Sequence, residues 1–339
     1  MKSMAASFSV QISLIMKLSP NFSAILARSP ASLFQFRHSM ALQRLLLIGL
    51  TLFARAAIGA DERPVEDASK VGLQSKARSD LPTIWVIGDS TVRVGTPGQR
   101  GWGDELALFF DRAKVNLVNR AIGGRSSRTF LTDGRWDDIL RELRAGDIVL
   151  MQFGHNDPGP VNEPPPVTKD TRARGTIKGN GEETKEVDNV LTGKHEVVHS
   201  YGWYLRHYIA TAKEKGATPV VCSPIPHKSW TPEGKVGRAS AGYGLWAREA
   251  AEKGSGLFID LNEIIARGYE KLGASAVEPF FADKGTHTTI EGARYNARCV
   301  ISGLNGLGEK NPAAAFLSTE GRAVPGFLPD VPQPQTQKP

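Results

Sequence analysis

Five short apolar runs separated by stretches of helical period constrain this chain more than any other feature. The runs are Ile84 to Ile87, Val115 to Val118, Ile148 to Phe153, Pro219 to Cys222 and Leu257 to Leu261. Between them, apolar residues recur at i, i+3 and i+4: Leu106, Phe109 and Phe110; Trp136, Ile139, Leu140 and Leu143; Tyr201, Leu205, Tyr208 and Ala212. That spacing marks helices packed on a sheet. The alternation predicts an α/β fold with one central parallel sheet of about five strands. No internal repeat is visible, so a solenoid or propeller is excluded.

The 339 residues, 40% hydrophobic with two cysteines, also exclude a disulfide scaffold and a wholly disordered chain. The net charge of +7 suggests nucleic acid only until it is located. Six basic and no acidic residues fall in 1–60, and setting these aside leaves 36 basic against 35 acidic residues. Nucleic acid is therefore not expected as a partner. Residues 1–60 are expected to be a leader: Met40, the expected start, opens a segment with Arg44, an apolar run from Leu45 to Phe53 and small residues through Ala60. That is the layout of a signal peptide, too short for a stable membrane anchor, so an exported chain is expected. Residues 61–80 are expected to be a linker, 81–310 the folded domain and 311–339 a disordered Pro-rich tail. Cys222 and Cys299 fit two buried thiols, with one disulfide left open.

In a doubly wound sheet ligands bind at the carboxyl ends of the strands, so the residues after each run carry the most weight. The first run ends in Gly88-Asp89-Ser90-Thr91, which places a hydroxyl at the sheet edge, although these residue types also build turns and helix caps. The second leads into Asn119-Arg120-Ala121-Ile122-Gly123-Gly124-Arg125-Ser126, where paired glycines let a backbone N–H approach a ligand, or simply form a turn. The third ends in Gly154-His155-Asn156-Asp157. An Asn there can donate to a developing oxyanion; the competing reading is an Asx turn. Asp283-Lys284-Gly285-Thr286-His287-Thr288 supplies a His that a nearby Asp can orient as a general base. His38, His155, His207 and His227 read as structural.

Two further features have weaker chemistry. His195-Glu196-Val197-Val198-His199 fits H-E-x-x-H, whose two zinc ligands require a helix, yet no third ligand follows at a matching spacing. The stretch from Pro158 to Asn189 is rich in Pro and Gly and lacks apolar period, so it is either a cleft wall or a loose surface insertion. Its five basic residues nearly balance its six acidic ones, which argues against a polyanion clamp. Trp102, Trp203, Trp230 and Tyr243 can stack on sugars, but Trp102 and Trp203 sit in helical segments where core packing is the commoner use.

The four ordered clusters together resemble the SGNH, or GDSL-like, hydrolases, over roughly residues 81 to 305. By position Ser90 matches the nucleophile, Gly124 the backbone oxyanion donor together with the Ser90 N–H, Asn156 the side-chain donor and His287 the base. Within that superfamily the chain most resembles the rhamnogalacturonan acetylesterases. The residues that carry this are Asn119-x-Ala121-x-x-Gly124-Arg125-Ser126-x-Arg128-Thr129-Phe130, Phe153-Gly154-His155-Asn156-Asp157, Tyr201-Gly202-Trp203-Tyr204-Leu205-Arg206 and His287-Thr288. The resemblance implies a flavodoxin-like three-layer α/β/α sandwich with no metal or cofactor, expected to be monomeric. It implies removal of acetyl groups from an acetylated polysaccharide through an acetyl-serine, with Arg125, His155 and Asp157 expected to touch the substrate. Other acyl esters such as acetyl-xylan, or a silent carbohydrate-binding relative, are the alternatives. One departure stands out: the family places its orienting Asp three residues before the His, whereas Asp283 lies four before His287. Either Gly285 bulges to restore the contact, or a Ser-His pair works with a backbone carbonyl.

Overall fold

The computed structural model describes residues 80–328. The leader at 1–60, its start at Met40, the linker up to residue 79 and the tail from 329 lie outside the described residues. Five parallel strands form the central sheet in the order β2-β1-β3-β6-β7. They are β1 (Thr83–Gly88), β2 (Asn116–Asn119), β3 (Ile148–Gln152), β6 (Thr218–Cys222) and β7 (Leu257–Ile259), at the five apolar runs. The other two strands, β4 (Thr184–Asp188) and β5 (His195–His199), make a separate antiparallel hairpin.

The sheet is buried on both faces because side chains alternate along each strand. Ile84, Val86, Ile148, Leu150, Val220 and Cys222 join one core, with Trp102, Tyr269 and Val300. Trp85, Ile87, Val149, Met151 and Val221 join the other, with Phe130, Trp136 and Tyr208. On the first face lie α1 (Trp102–Glu105), α6 (Leu261–Leu272), α7 (Ala274–Val277) and α8 (Ile290–Gly306). On the second lie α2 (Ser127–Thr132), α3 (Arg135–Glu142), α4 (Tyr201–Glu214) and α5 (Tyr243–Gly254). Cys222 and Cys299 are free and buried, and burial pushes each thiol up to about 12. None of the helices among the described residues is long and apolar enough to cross a membrane.

One sequence expectation meets a different arrangement, and one open choice is decided. The segment from Asn311 was expected to fray, yet it packs as far as Phe327. Leu317 and Val324 are buried, Asp111 N–H donates to the Phe316 carbonyl at 2.8 Å, and Asn305 holds the Val324 carbonyl at 2.7 Å. Two well-placed apolar side chains outweigh a proline-rich composition. The stretch from Pro158 to Asn189 is an ordered wall rather than a loose insertion, and it closes in the β4–β5 hairpin. Val187 and Val198 are its buried anchors. Arg128, fully buried in α2, fastens it: Nε and Nη2 donate to Glu196 at 2.9 and 2.7 Å, and Nη1 donates to the Val161 and Gly175 carbonyls.

Candidate active site

The strand order places β2 and β3 on opposite sides of β1, so the chain leaves β1 and β3 in opposite directions and opens a crevice at their carboxyl ends. Ser90 sits on the turn directly after β1. Gly88 makes that turn possible: at φ +158° any Cβ would lie 2.4 Å from the Gln152 carbonyl oxygen and 2.5 Å from Val92 Cγ2. The Asp89 carbonyl then accepts from Val92 and Arg93 N–H, closing the turn beneath Ser90. Gln152 braces it from β3, donating to Thr91 Oγ1 at 2.6 Å and accepting from Trp102 Nε1 at 2.9 Å.

Ser90 Oγ lies 2.9 Å from His287 Nε2, and His287 Nδ1 lies 2.6 Å from Asp283 Oδ2. The extra residue between Asp283 and His287 is absorbed at Gly285, φ +156°, whose carbonyl accepts from Lys228 N–H at 2.8 Å. The other carboxylate oxygen, Oδ1, accepts from the N–H groups of Gly285, Thr286 and His287. Partial burial would raise the Asp283 pKa, but these backbone donors and the His287 ring outweigh it and hold the carboxyl well below its usual range. Hydroxyl, imidazole and carboxylate in line is the arrangement that makes a serine nucleophilic.

The Gly123–Gly124 turn passes beside the serine: a Cβ at Gly123 would lie 3.5 Å from Ser90 Cβ. Asn156 is buried next to it, and its Nδ2 donates to the Arg125 carbonyl at 3.0 Å, which uses one of two amide protons. Helix α4 anchors these loops from below. Tyr201 Oη donates to the Phe153 carbonyl at 2.9 Å and Tyr208 Oη to that of Ser127. The tyrosines were legible in the sequence as core spacing; their hydroxyl partners were not.

Several expected roles are corrected by these positions. His155 does not offer its ring nitrogens to a substrate. Nδ1 lies 3.2 Å from Asp89 Oδ2 and Nε2 3.1 Å from the Ile225 carbonyl. Burial opposes both charges of this pair, yet their mutual attraction prevails, lowering the Asp89 pKa and raising that of His155. Asp157 is fully buried; its Oδ1 takes Ser127 Oγ at 2.5 Å and N–H at 3.1 Å, and Oδ2 has no partner. Burial pushes its carboxyl up to about 7. Arg125 does line the cleft but pairs with Asp133 at 2.6 Å. Trp102 is core, and Trp203 is sandwiched between His199 and His207, with centroids at 3.7 and 5.3 Å. Trp230 is partly buried against the core, whereas Tyr243 lines a cavity of about 470 Å³ with His227.

The H-E-x-x-H stretch is strand β5, not a helix, so its histidines do not converge. His195 pairs with Asp188 at 2.9 Å, and Glu196 is consumed by Arg128 and Asn189. The balanced charge of the insertion also separates in space. None of its six acidic residues lines the cleft beside Gly124, whereas Lys169, Arg172 and Arg174 do. Arg174 Nη1 donates to the Gly124 carbonyl at 3.2 Å, a contact no sequence signal announced.

Residues 86–295 match the GDSL-like Lipase/Acylhydrolase family. The rhamnogalacturonan acetylesterase of Emericella nidulans is 34% identical over 229 residues, which span 66% of this chain and 84% of that protein. The probable rhamnogalacturonan acetylesterase YesY of Bacillus subtilis is 30% identical over 232 residues, spanning 66% and 93%. The crystal structure of YxiM from Bacillus subtilis shares the fold, with a TM-score of 0.54 at 24% identity, covering 68% of this chain and 58% of that one.

Proposed function

This chain belongs to the GDSL-like lipase/acylhydrolase family and is a carboxylic ester hydrolase, and on that premise we propose that it removes acetyl groups from rhamnogalacturonan, a pectic polysaccharide, with Ser90 as nucleophile. The observation that carries the reading is the line from Ser90 Oγ through His287 to Asp283, at 2.9 and 2.6 Å. The rhamnogalacturonan acetylesterases among its relatives support the substrate.

In this reading His287 Nε2 takes the Ser90 proton as Oγ bonds to the acetyl carbon. The Ser90 and Gly124 N–H groups and the free Asn156 amide proton stabilise the oxyanion. Collapse breaks the bond to the sugar oxygen, which leaves with the proton from His287. Water then attacks the acetyl-serine, giving its proton to His287; the carbon–Oγ bond breaks, Ser90 regains its proton, and acetate departs. The enzyme is placed outside the cytoplasm, where such a polymer is met, and cell fractionation tests that placement.

The direct test is acetate release from acetylated rhamnogalacturonan and acetylated xylan by the protein and by Ser90→Ala. Acetate from the pectic polymer, reduced about 10⁶-fold in the variant, is expected. Full activity in Ser90→Ala would overturn the nucleophile, and acetate from xylan alone would overturn the substrate.

A further inference from the structure

The cleft that starts at Gly124 has a volume of about 510 Å³, enough for one or two sugar rings, and an unusual charge balance. Its two carboxylates are already neutralised: Asp133 by Arg125 at 2.6 Å, and Glu196 by Arg128 at 2.7 Å. Lys169, Arg172, Arg174 and Lys194 also line it, and among the described residues none of their four side-chain charges is paired with a carboxylate; Glu163 meets Arg172 only at its backbone N–H, at 2.6 Å. Arg172 Nη1 bonds only the Lys169 and Thr171 carbonyls. Arg174 is half-buried, bonded through Nη1 to the Gly124 carbonyl, and its Nε–H has no acceptor. Burial lowers its pKa, with Arg172 and Arg125 adding to the shift and Asp89 and Asp157 opposing it.

Holding several uncompensated cations together costs free energy that an anionic ligand would return. We propose that this cleft seats the carboxylate of a uronic acid residue on the bound polysaccharide, met by Arg174 and drawn in by Lys169, Arg172 and Lys194. The site rests on the reading of the chain as an acetylesterase acting on a pectic polymer, and it adds where the polymer's charge is recognised. The position of Arg174 ties the two functions together, since the guanidinium that meets the carboxylate also holds the backbone of the Gly124 turn beside Ser90. A correctly charged substrate is thus registered one residue from the reacting ester.

The experiment compares kcat/KM for acetate release from acetylated rhamnogalacturonan oligosaccharides with that from the same oligosaccharides after carboxyl reduction. A preference of about tenfold for the acidic form is expected, shrinking at high salt. Replacing Lys169 and Lys194 together by Gln should cut that preference roughly threefold, through KM. Arg174→Gln should cut it about tenfold or more, and Arg174→Lys should restore part of it. Equal activity on both substrates, or variants that lose both equally, would overturn the site. Calorimetric binding of an unacetylated oligogalacturonide to Ser90→Ala separates this from the catalytic reading. Binding that weakens in the lysine variant while no pectic acetate is released overturns the substrate reading alone. Acetate release with no oligogalacturonide binding overturns the cleft alone.

Discussion

At the carboxyl edge of the sheet each of two carboxylates has an imidazole partner: Asp89 holds His155, and Asp283 holds His287 with three backbone N–H groups behind it. On the other side of the Gly124 turn, the wall built from the insertion and its hairpin presents Lys169, Arg172, Arg174 and Lys194, whose side-chain charges have no carboxylate partner among the described residues. The first region needs its groups fixed before substrate arrives, because a hydrogen bond misplaced by an ångström costs orders of magnitude in rate. The second gains by leaving its charge unpaired until a ligand completes it. One protein thus spends electrostatics in two ways within a few residues of the same serine.

The sharpest way to break this contrast is at Asp283. Asp283→Asn should lower acetate release roughly 10⁴-fold without unfolding the chain, measured on a small acetyl ester alongside circular dichroism. A loss under about tenfold would mean that His287 is oriented by something else, and that the paired region is less committed than its hydrogen bonds indicate. Arg128 comes next, because it joins the regions. Arg128→Met strands Glu196 and the carbonyls of Val161 and Gly175, and should cost about 3–5 kcal/mol in urea unfolding. A cost below about 1 kcal/mol would make the insertion a separate appendage.

The smallest effect sits at Asp157, under the joint. Its carboxyl, raised to about 7, holds its proton longer in the folded than in the unfolded chain, where the value is near 3.9. The associated stability is therefore complete below about pH 4 and is lost as pH rises through about 7. Between pH 4.5 and 7.5 the melting temperature of the unaltered protein should fall further than that of Asp157→Asn, by about 6 °C. Parallel curves would show that Asp157 stays ionised throughout.

The sheet and the proposed catalytic line were legible for different reasons: the strands are written in local sequence, whereas the site clusters, each weak alone, gained meaning from their order and the family resemblance. Ile84 to Ile87 and Ile148 to Phe153 are apolar enough to be read as strands without context, and the polar residues after them fall where the topology puts a ligand. Even the displaced Asp283 could be anticipated, because a glycine stood where the slack was needed. The hairpin was not legible, since Thr184–Asp188 and His195–His199 are polar strands whose order comes from two valines and a buried arginine 68 residues away. Nor was the cleft's charge. Counting Lys, Arg, Asp and Glu along 158–189 gives near balance, whereas Glu182 turns out toward Arg206 and Glu163 caps the Arg172 N–H. His155 and Asp157 were misassigned for a related reason: a polar residue after a strand can face the crevice or brace it, and only packing distinguishes the two.

The bond between Ser90 and His287 joins positions 197 residues apart. Thr288 is stitched to Arg100 by two hydrogen bonds at 2.7 Å, and α8 follows at once and seats Val300 and Leu304 in the core. So non-local a contact forms late in folding, because the loop must close before the docked helix and the Thr288–Arg100 bonds can compensate it. With Ser90 as the proposed nucleophile, the site is complete only once nearly the whole domain has emerged and the last large helix has docked. The appearance of esterase activity is a clock for the completion of folding.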